Sequence, residues 1–457
     1  MADSLSPSSA PLSESPARFT VSAARAVHQG AVGPVTLTVE NGVITGLKDA
    51  ETPGADILID PGDVLLPGGV DSHVHLNEPG RTEWEGFATG TRAAATGGVT
   101  TVLDMPLNSI PPTVSATALA TKRAAAAGQL SVDLGYWGGA IPESLGHLEE
   151  LWQAGVVGFK CFTLPSGVDE FPPLDAAQLK RAMTEIAGFG GLLIVHAEDA
   201  HIIDAAPSPH SRAYSDFLLS RPDEAELAAI TLVIDTMRET GARVHLLHLS
   251  SARGLELVAA AKAEGLPLTV ESCPHYLCLA AEDIPDGTPE YKCCPPIRDQ
   301  GNQDALWQGL IEGLIDIVVT DHSPTTRDNK YSGGGDLSTA WGGVAGVQVG
   351  YTAMLDAAAR HGLGLERIVE WMSEGPARIM GVRGKGGIAV GKDADLAVWS
   401  PVPQTIDAAR LRHRNPISAW HGHTFDGTIT DVWLRGTHLE PGRDEVPPIG
   451  REIIFEH

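Results

Sequence analysis

The sequence predicts a (β/α)8 barrel that carries a small β-sandwich domain built from both ends of the chain. Eight short apolar runs alternate with longer helical segments between residues 63 and 384, and strand-like segments with turns lie on either side of this region. Strands that are apolar throughout suit a closed parallel barrel, because both of their faces are buried. A doubly wound open sheet is the alternative architecture. No G-x-G-x-x-G motif follows the first run, which counts against it.

The N-terminal part of the chain divides into a tail and a β region. Residues 1–16 are polar and rich in Pro and Ser, so we expect a disordered tail that is not a signal peptide. Residues 17–62 are strand-like, and Asn41-Gly42 separates two apolar runs, which is a strong hairpin signal.

The eight runs are the candidate barrel strands. They are residues 64–70, 99–104, 131–137, 156–162, 191–196, 243–249, 266–271 and 315–320. Ala-rich or amphipathic segments separate them, and residues 341–380 are helical in pattern. The chain then returns to strands and turns. Neither terminal segment can easily bury its apolar face alone, so we expect residues 17–62 and 385–457 to form one domain around a barrel of residues 63–384.

Composition limits the class of partner and the compartment. The formal net charge is −26 over 457 residues, which disfavours nucleic acid and anionic membranes as partners. No stretch reaches transmembrane length. Five cysteines are few and odd in number, which favours reduced thiols in the cytoplasm. Two cysteine pairs, 273 with 278 and 293 with 294, are alternative soft-metal ligands, but their spacing fits no zinc knuckle and we favour ordinary thiols.

His73 and His75 are the first candidates for chemistry. They follow an apolar run, and side chains two residues apart on a strand share one face. Two converging imidazoles suit a divalent metal, whereas the alternative is a pair of hydrogen-bonded histidines on a half-exposed strand. Further candidates follow later runs, and polar groups at the carboxyl ends of barrel strands meet at one mouth. The full set is His73, His75, Lys160, His196, His248 and Asp321.

Other histidines are weaker candidates for metal binding. His245 and His322 alternate away from their neighbours His248 and Asp321, so we expect them to face elsewhere. His421 and His423 repeat the spacing of the first pair. They lie in the predicted β domain without a carboxylate cluster, and we interpret them as structural.

Lys160 is unusual because an apolar strand is a costly place for a charged amine. A structural ion pair is one explanation. The other is that burial and nearby cations depress its pKa, so that the neutral amine reacts with carbon dioxide. The resulting carbamate is an anion with two oxygens and can bridge two metals.

These residues resemble those of the cyclic amidohydrolases in the urease-related superfamily, which includes dihydroorotases, hydantoinases or dihydropyrimidinases, and allantoinases. The similarity rests on the ligand set together with Asp321-His-Ser-Pro324 and Ala394-Asp-Leu396. It implies that His73, His75 and Asp321 bind one metal, that His196 and His248 bind another, and that carboxylated Lys160 (N6-carboxylysine) bridges them. Zinc is the expected metal, although cobalt, manganese, nickel or iron also suits these ligands. A homotetramer is expected by the same analogy.

Four further segments are most similar to the allantoinases. They are Asn77–Trp84, Asp104–Pro112, Gly158–Phe162 and Glu271–Tyr276. Dihydroorotases carry Arg at the position of Asn77, and a neutral amide there suits an uncharged cyclic ureide. Thr325 and residues 164–169 differ from the corresponding residues of many relatives, so the resemblance does not define the substrate loop after the fourth strand.

The resemblance therefore implies hydrolysis of allantoin to allantoate. A metal pair supplies hydroxide near neutral pH, and Asp321 would accept a proton and pass it to the leaving ring nitrogen. Hydantoinase or dihydropyrimidinase activity on other cyclic ureides is the alternative. A catalytically inactive scaffold protein is a third interpretation, against which the complete ligand set counts. Expected substrate contacts, each of which could instead be a turn, cap or packing residue, are Asn77, Asn108, Cys294, Ser323 and Trp341.

Overall fold

The computed structural model describes residues 17–440 and 446–457, so the predicted tail of residues 1–16 lies outside the described residues. The strands are β1 (Arg18–His28), β2 (Ala31–Glu40), β3 (Val43–Lys48), β4 (Ile57–Leu58), β5 (Val64–Pro67), β6 (Gly69–Val74), β7 (Val99–Asp104), β8 (Asp133–Tyr136), β9 (Gly138–Gly139), β10 (Phe159–Phe162), β11 (Leu192–His196), β12 (Arg243–Leu246), β13 (Leu268–Ser272), β14 (Ile317–Val318), β15 (Leu396–Ser400), β16 (Gln404–Thr405), β17 (Thr424–Phe425), β18 (Thr428–Leu434) and β19 (Thr437–His438).

The helices surround the barrel and fill the region before β15. They are α1 (Phe87–Thr96), α2 (Ala116–Ala126), α3 (Leu148–Gln153), α4 (Ala176–Gly188), α5 (Ala200–Ala205), α6 (Tyr214–Leu219), α7 (Asp223–Thr240), α8 (Leu255–Ala263), α9 (Pro274–Cys278), α10 (Gln300–Ile311), α11 (Arg327–Tyr331), α12 (Gly350–Arg360), α13 (Leu365–Val369) and α14 (Gly375–Ile379). A π-helical turn, Glu370–Glu374, joins α13 to α14. Among the described residues, no helix is long and apolar enough to cross a membrane.

The barrel consists of parallel strands in chain order. Strands β6, β7 and β8 pair in parallel, and β9 continues β8 beyond Trp137 to pair with β10. Strands β10 to β14 then follow in sequence. The ring closes where Val74 bridges His322 and the His75 N–H donates to the His322 carbonyl at 2.8 Å. The predicted (β/α)8 barrel is therefore confirmed.

The two ends of the chain share one mixed sheet, in the order β19-β18-β15-β5-β1-β2-β3, with β4 beside β1. The prediction that the terminal segments pair is confirmed, since β5 lies between N-terminal β1 and C-terminal β15. Asn41 and Gly42 both have positive φ, 52° and 85°, and form the predicted hairpin turn between β2 and β3. Buried Val21, Leu37 and Leu396 belong to the core of this sheet.

Two segments lie differently from the predicted pattern. The run 64–70 is two strands, because β5 pairs with β1 and β15 while the barrel strand β6 begins at Gly69. Gly68 is the bend between them, and a Cβ there would collide with the side chain of Thr100. Residues 446–457 pack on the barrel, where Glu452 bridges Leu134 and Ile453 N–H donates to the Leu134 carbonyl at 2.7 Å. The domain limits at residues 62 and 385 stay predictions.

Candidate metal centre and active site

Six side chains converge at the carboxyl-terminal mouth of the barrel. Each lies within three residues of the carboxyl end of its strand, and each is buried; they are His73, His75, Lys160, His196, His248 and Asp321. His248 and Asp321 have positive φ values of 33° and 43°, which a non-glycine residue adopts only at a cost. His248 lies in the turn after β12, and Asp321 lies in the turn after β14. The strain is therefore stored at the positions where the chain turns a side chain into the mouth.

The first group of atoms surrounds the end of β6. His73 Nε2 lies 3.1 Å from Asp321 Oδ1, and His75 Nε2 lies 3.6 Å from the same oxygen. Lys160 Nζ is 3.2 Å from His73 Nε2. His196 and His248 form a second group, with ring centroids 4.6 Å apart, and the His248 ring is 5.5 Å from that of His73.

These groups fit divalent metal ions. His73, His75 and Asp321 offer ligand atoms within 4.8 Å of one another. The Nδ1 atom of His248 is buried and has no hydrogen-bond partner in the described chain, which is costly unless a ligand completes it. Imidazole nitrogens and carboxylate oxygens are ordinary ligands of divalent transition metals.

Two buried carboxylates orient the imidazoles. Glu271 Oε1 accepts from His73 Nδ1 at 2.6 Å and from the His248 backbone N–H at 3.2 Å, while Oε2 accepts from His245 Nε2 at 3.0 Å. Glu198 Oε2 accepts from His196 Nε2 at 2.7 Å. The bonds to His73 and His196 each occupy one ring nitrogen and leave the other for the mouth, as in carboxylate–histidine–metal arrangements. Sequence reasoning assigned neither glutamate a role, although both lie at strand ends.

The protonation states suit ligands. Burial, only partly opposed by Asp321 and Glu271, lowers the pKa of Lys160 to about 8. Burial also holds the pKa values of His75 and His248 well below the usual range. For Asp321, burial acts in the opposite direction, but His73, His248 and His75 outweigh it and hold the pKa well below that of an ordinary carboxyl. Near neutral pH His75 and His248 are therefore neutral imidazoles and Asp321 is a carboxylate.

A cavity of about 250 Å³ opens above the cluster. Its floor includes His75, Lys160, His196, His248 and Asp321, and its walls include the predicted contacts Asn108, Cys294, Ser323 and Trp341. Arg221 and Lys292 also line the cavity. Neither was predicted from the sequence, because neither lies in a strand-end motif. Ser323 Oγ donates to Asp321 Oδ1 at 2.9 Å, and the Trp341 ring packs on Trp84 at 4.8 Å.

Asn77 lies apart from the other predicted contacts. It is buried with φ 62°, its Nδ2 donates to the Pro324 carbonyl at 3.4 Å, and it is not among the residues that line the cavity. The side chain therefore joins the loops after β6 and β14, and its Oδ1 has no partner among residues 17–440 and 446–457.

Within residues 17–440 and 446–457, the remaining histidines and cysteines belong to no group of three or more potential metal ligands. His245 faces Glu271 and Thr269, and His322 Nδ1 accepts from the Gly346 N–H at 3.1 Å. His421 is largely exposed near Asp407. The five cysteines are free thiols.

The amidohydrolase family model matches residues 64–439, and the chain belongs to this family. An allantoinase from Streptomyces avermitilis is 53% identical over 427 residues, which cover 93% of this chain and 95% of that protein. The allantoinase of Saccharomyces cerevisiae is 44% identical over 399 residues, covering 85% of this chain and 86% of that protein.

Solved structures of hydantoinases share the fold. The L-hydantoinase (dihydropyrimidinase) from Arthrobacter aurescens aligns with a TM-score of 0.90 at 30% identity, over 95% of this chain and all 100% of that chain. A dihydropyrimidinase from Brevibacillus agri aligns with a TM-score of 0.87 at 26% identity, over 96% of this chain and 100% of that chain.

Proposed function

We propose that this amidohydrolase opens the hydantoin ring of allantoin by hydrolysis and releases allantoate. The observation that carries the proposal is the buried histidine, lysine and aspartate cluster on the floor of the 250 Å³ cavity. Such a cluster fits a cyclic amide hydrolase, and the chain is 53% identical to the Streptomyces allantoinase over nearly its whole length.

The same cluster would hold two divalent ions, with zinc as the expected metal and cobalt, manganese, nickel or iron as alternatives. His73, His75 and Asp321 would hold one ion, and His196 and His248 the other. When bound, such ions lower the pKa of water and polarise a carbonyl group.

Lys160 would be carboxylated and shared by both ions. The lowered pKa, about 8, leaves part of the amine neutral near neutral pH. That nitrogen would attack the carbon of carbon dioxide, one C–O π pair would move to oxygen, and the nitrogen would release a proton to water in the cavity. The product is an anionic carbamate, which removes the repulsion between an ammonium and two cations.

Asp321 would move the proton. Its low pKa keeps Asp321 ionised, and the carboxylate would accept a proton from the attacking water and return it to the leaving ring nitrogen. Oδ1 already faces His73, His75 and the Ser323 hydroxyl, so we place the transfer on Oδ2. The contact between Ser323 and Oδ1 would fix the orientation of the carboxylate.

The walls of the cavity would bind the ureide, with Asn108, Ser323 and Cys294 as polar contacts and Trp341 as a cover. Asn77 would support the loops behind them. We further propose that the chain forms a homotetramer and works in the cytoplasm, the latter because its five thiols are free.

The direct test is turnover of purified, metal-loaded protein on allantoin, hydantoin, dihydrouracil and dihydroorotate in parallel. We expect allantoin to have the highest kcat/KM and dihydroorotate to be opened far more slowly. A higher kcat/KM for hydantoin or dihydrouracil would instead establish the second candidate, a hydantoinase, which the similarity to the Arthrobacter L-hydantoinase structure favours.

A further inference from the structure

Arg221 lies on the wall of the substrate cavity, in the turn between α6 and α7. Its side chain is 18% exposed, and its Nη1 donates at 2.5 Å to Oε2 of Glu198, which is 1% exposed. The same carboxylate oxygen accepts from the ring of His196. Glu198 therefore links the guanidinium to His196, a proposed metal ligand, through two short hydrogen bonds.

Most donors of this guanidinium make no hydrogen bond within residues 17–440 and 446–457. Arginine carries five N–H donors, and the bond from Nη1 to Glu198 is the one side-chain hydrogen bond that Arg221 makes there. Lys292, the other cation on this wall, differs because its Nζ donates to the Ala340 carbonyl at 2.6 Å and lies 5.3 Å from the Phe217 ring. A fixed charge with free donors beside a proposed reaction centre offers charge-assisted hydrogen bonds to an acceptor on the ligand.

We propose that Arg221 is the specificity-determining contact for the ureido substituent of the substrate, an inference that rests on the proposed function. Allantoin is a hydantoin whose ureido group is attached to the ring carbon next to the scissile carbonyl. A substrate whose scissile carbonyl lies at the His73–His248 cluster thus holds its ureido group only a few bonds away. The urea carbonyl oxygen accepts from the free N–H groups of Arg221.

Glu198 makes this contact rigid. Its backbone is held by Thr163, whose hydroxyl donates to the Glu198 carbonyl at 2.7 Å and accepts from the Glu198 N–H at 3.1 Å. The Glu198 carboxylate is 1% exposed and contacts both Arg221 Nη1 and His196 Nε2, so it fixes the planar guanidinium in one orientation, which a flexible ammonium would not keep.

The test compares allantoin with hydantoin, which lacks the ureido group, in Arg221→Met and Arg221→Lys. We expect the ratio of the two kcat/KM values, allantoin over hydantoin, to fall about 10- to 100-fold in both variants, because a charge-assisted hydrogen bond is lost from one substrate only. Bound metal should stay near the wild-type content. Arg253→Met is the matched control, since Arg253 is exposed and paired with Glu224, and it should leave the ratio unchanged.

The alternative is that Arg221 only positions His196 through Glu198. In that case both substrates lose kcat/KM by the same factor and metal content falls, which would overturn the inference. If Arg221→Met does not fold, the comparison of Arg221→Lys with the wild-type protein still distinguishes the specificity role from the positioning role. A wild-type protein that opens allantoin no better than hydantoin overturns both the inference and the proposed function. A wild-type preference that survives both substitutions overturns the inference alone.

Discussion

At the scale of single residues, Lys160 carries the sharpest consequence of the site. It is 1% exposed, it lies 3.2 Å from His73, and no carboxylate hydrogen-bonds its Nζ among the described residues. This geometry disfavours the simple ion pair that the sequence left open. An amine that stays charged here would oppose any cation bound to His73.

We therefore expect Lys160→Ala to lose bound metal and allantoin hydrolysis together, each by at least about 100-fold. The reason is that a second cation binds next to the first only when an anion bridges them. Added acetate or propionate should restore part of both by filling the space of the carbamate. Metal analysis and kcat/KM measured on the same preparations provide the readout. Lys160→Arg is the matched control, since it keeps the charge, cannot be carboxylated in this way and should not respond to acid. A Lys160→Ala protein that holds full metal and full activity would exclude the bridge.

The six candidate ligands could be predicted from the sequence because each lies near the carboxyl end of an apolar strand, and the barrel geometry brings strand ends together. Their orienting partners could not. Glu271 lies on β13 and reaches His73 on β6, and such a pairing depends on which strands face each other across the mouth. Arg221 could not be predicted either, because a residue in a turn belongs to no periodic pattern. Asn77 is the opposite case. Its motif predicted a substrate contact, whereas its side chain contacts Pro324 and is not among the residues that line the cavity.

At the scale of elements, the junction between the barrel and the terminal sheet depends on one buried lysine. Lys385 Nζ contacts Asp133 of β8 at 2.5 Å and also Asp393 and Asp395, both at 2.8 Å. Burial acts to lower the pKa of Lys385, but these three carboxylates outweigh it and raise that pKa above the usual range. Arg435 contacts Asp133 as well. The lysine thus holds the segment before β15 against a barrel strand.

Lys385→Met should reduce the free energy of unfolding by about 3–5 kcal/mol, because removal of one partner leaves buried carboxylates uncompensated. The thermal midpoint at a fixed scan rate is the measurement. Lys180→Met is the matched control, since its pair with Glu239 is exposed and contributes about 0–1 kcal/mol. Equal midpoints for the two variants would contradict the role given to Lys385.

The elements themselves could largely be predicted, with one instructive exception. Residues 64–70 are a continuous apolar run, and hydrophobicity alone cannot divide such a run between two sheets. The division occurs at Pro67-Gly68, where Gly68 N–H donates to the Asp395 carbonyl at 2.9 Å and the chain leaves the terminal sheet for the barrel. The C-terminal residues 446–457 were predicted to belong to the β domain. They instead contact the barrel strand β8.

At the scale of the whole molecule, the barrel strands supply the buried cluster at the base of the 250 Å³ cavity, and the terminal sheet joins the two ends of the chain beside the barrel. The chain leaves the terminal sheet at β5, completes all barrel strands and returns to the same sheet at β15. The proposed ligands come from β6, β10, β11 and the turns after β12 and β14, so the cluster exists only when the barrel is closed.

The most direct measurement is a zinc titration of metal-free protein in bicarbonate buffer, with bound zinc and allantoin hydrolysis followed in the same samples. We predict that activity is absent without metal, that it rises as zinc binds, and that it reaches its maximum at about two ions per chain. Bicarbonate should be required for full activation, because the shared ligand forms from carbon dioxide. Full hydrolysis of allantoin by protein that holds no metal would contradict the account.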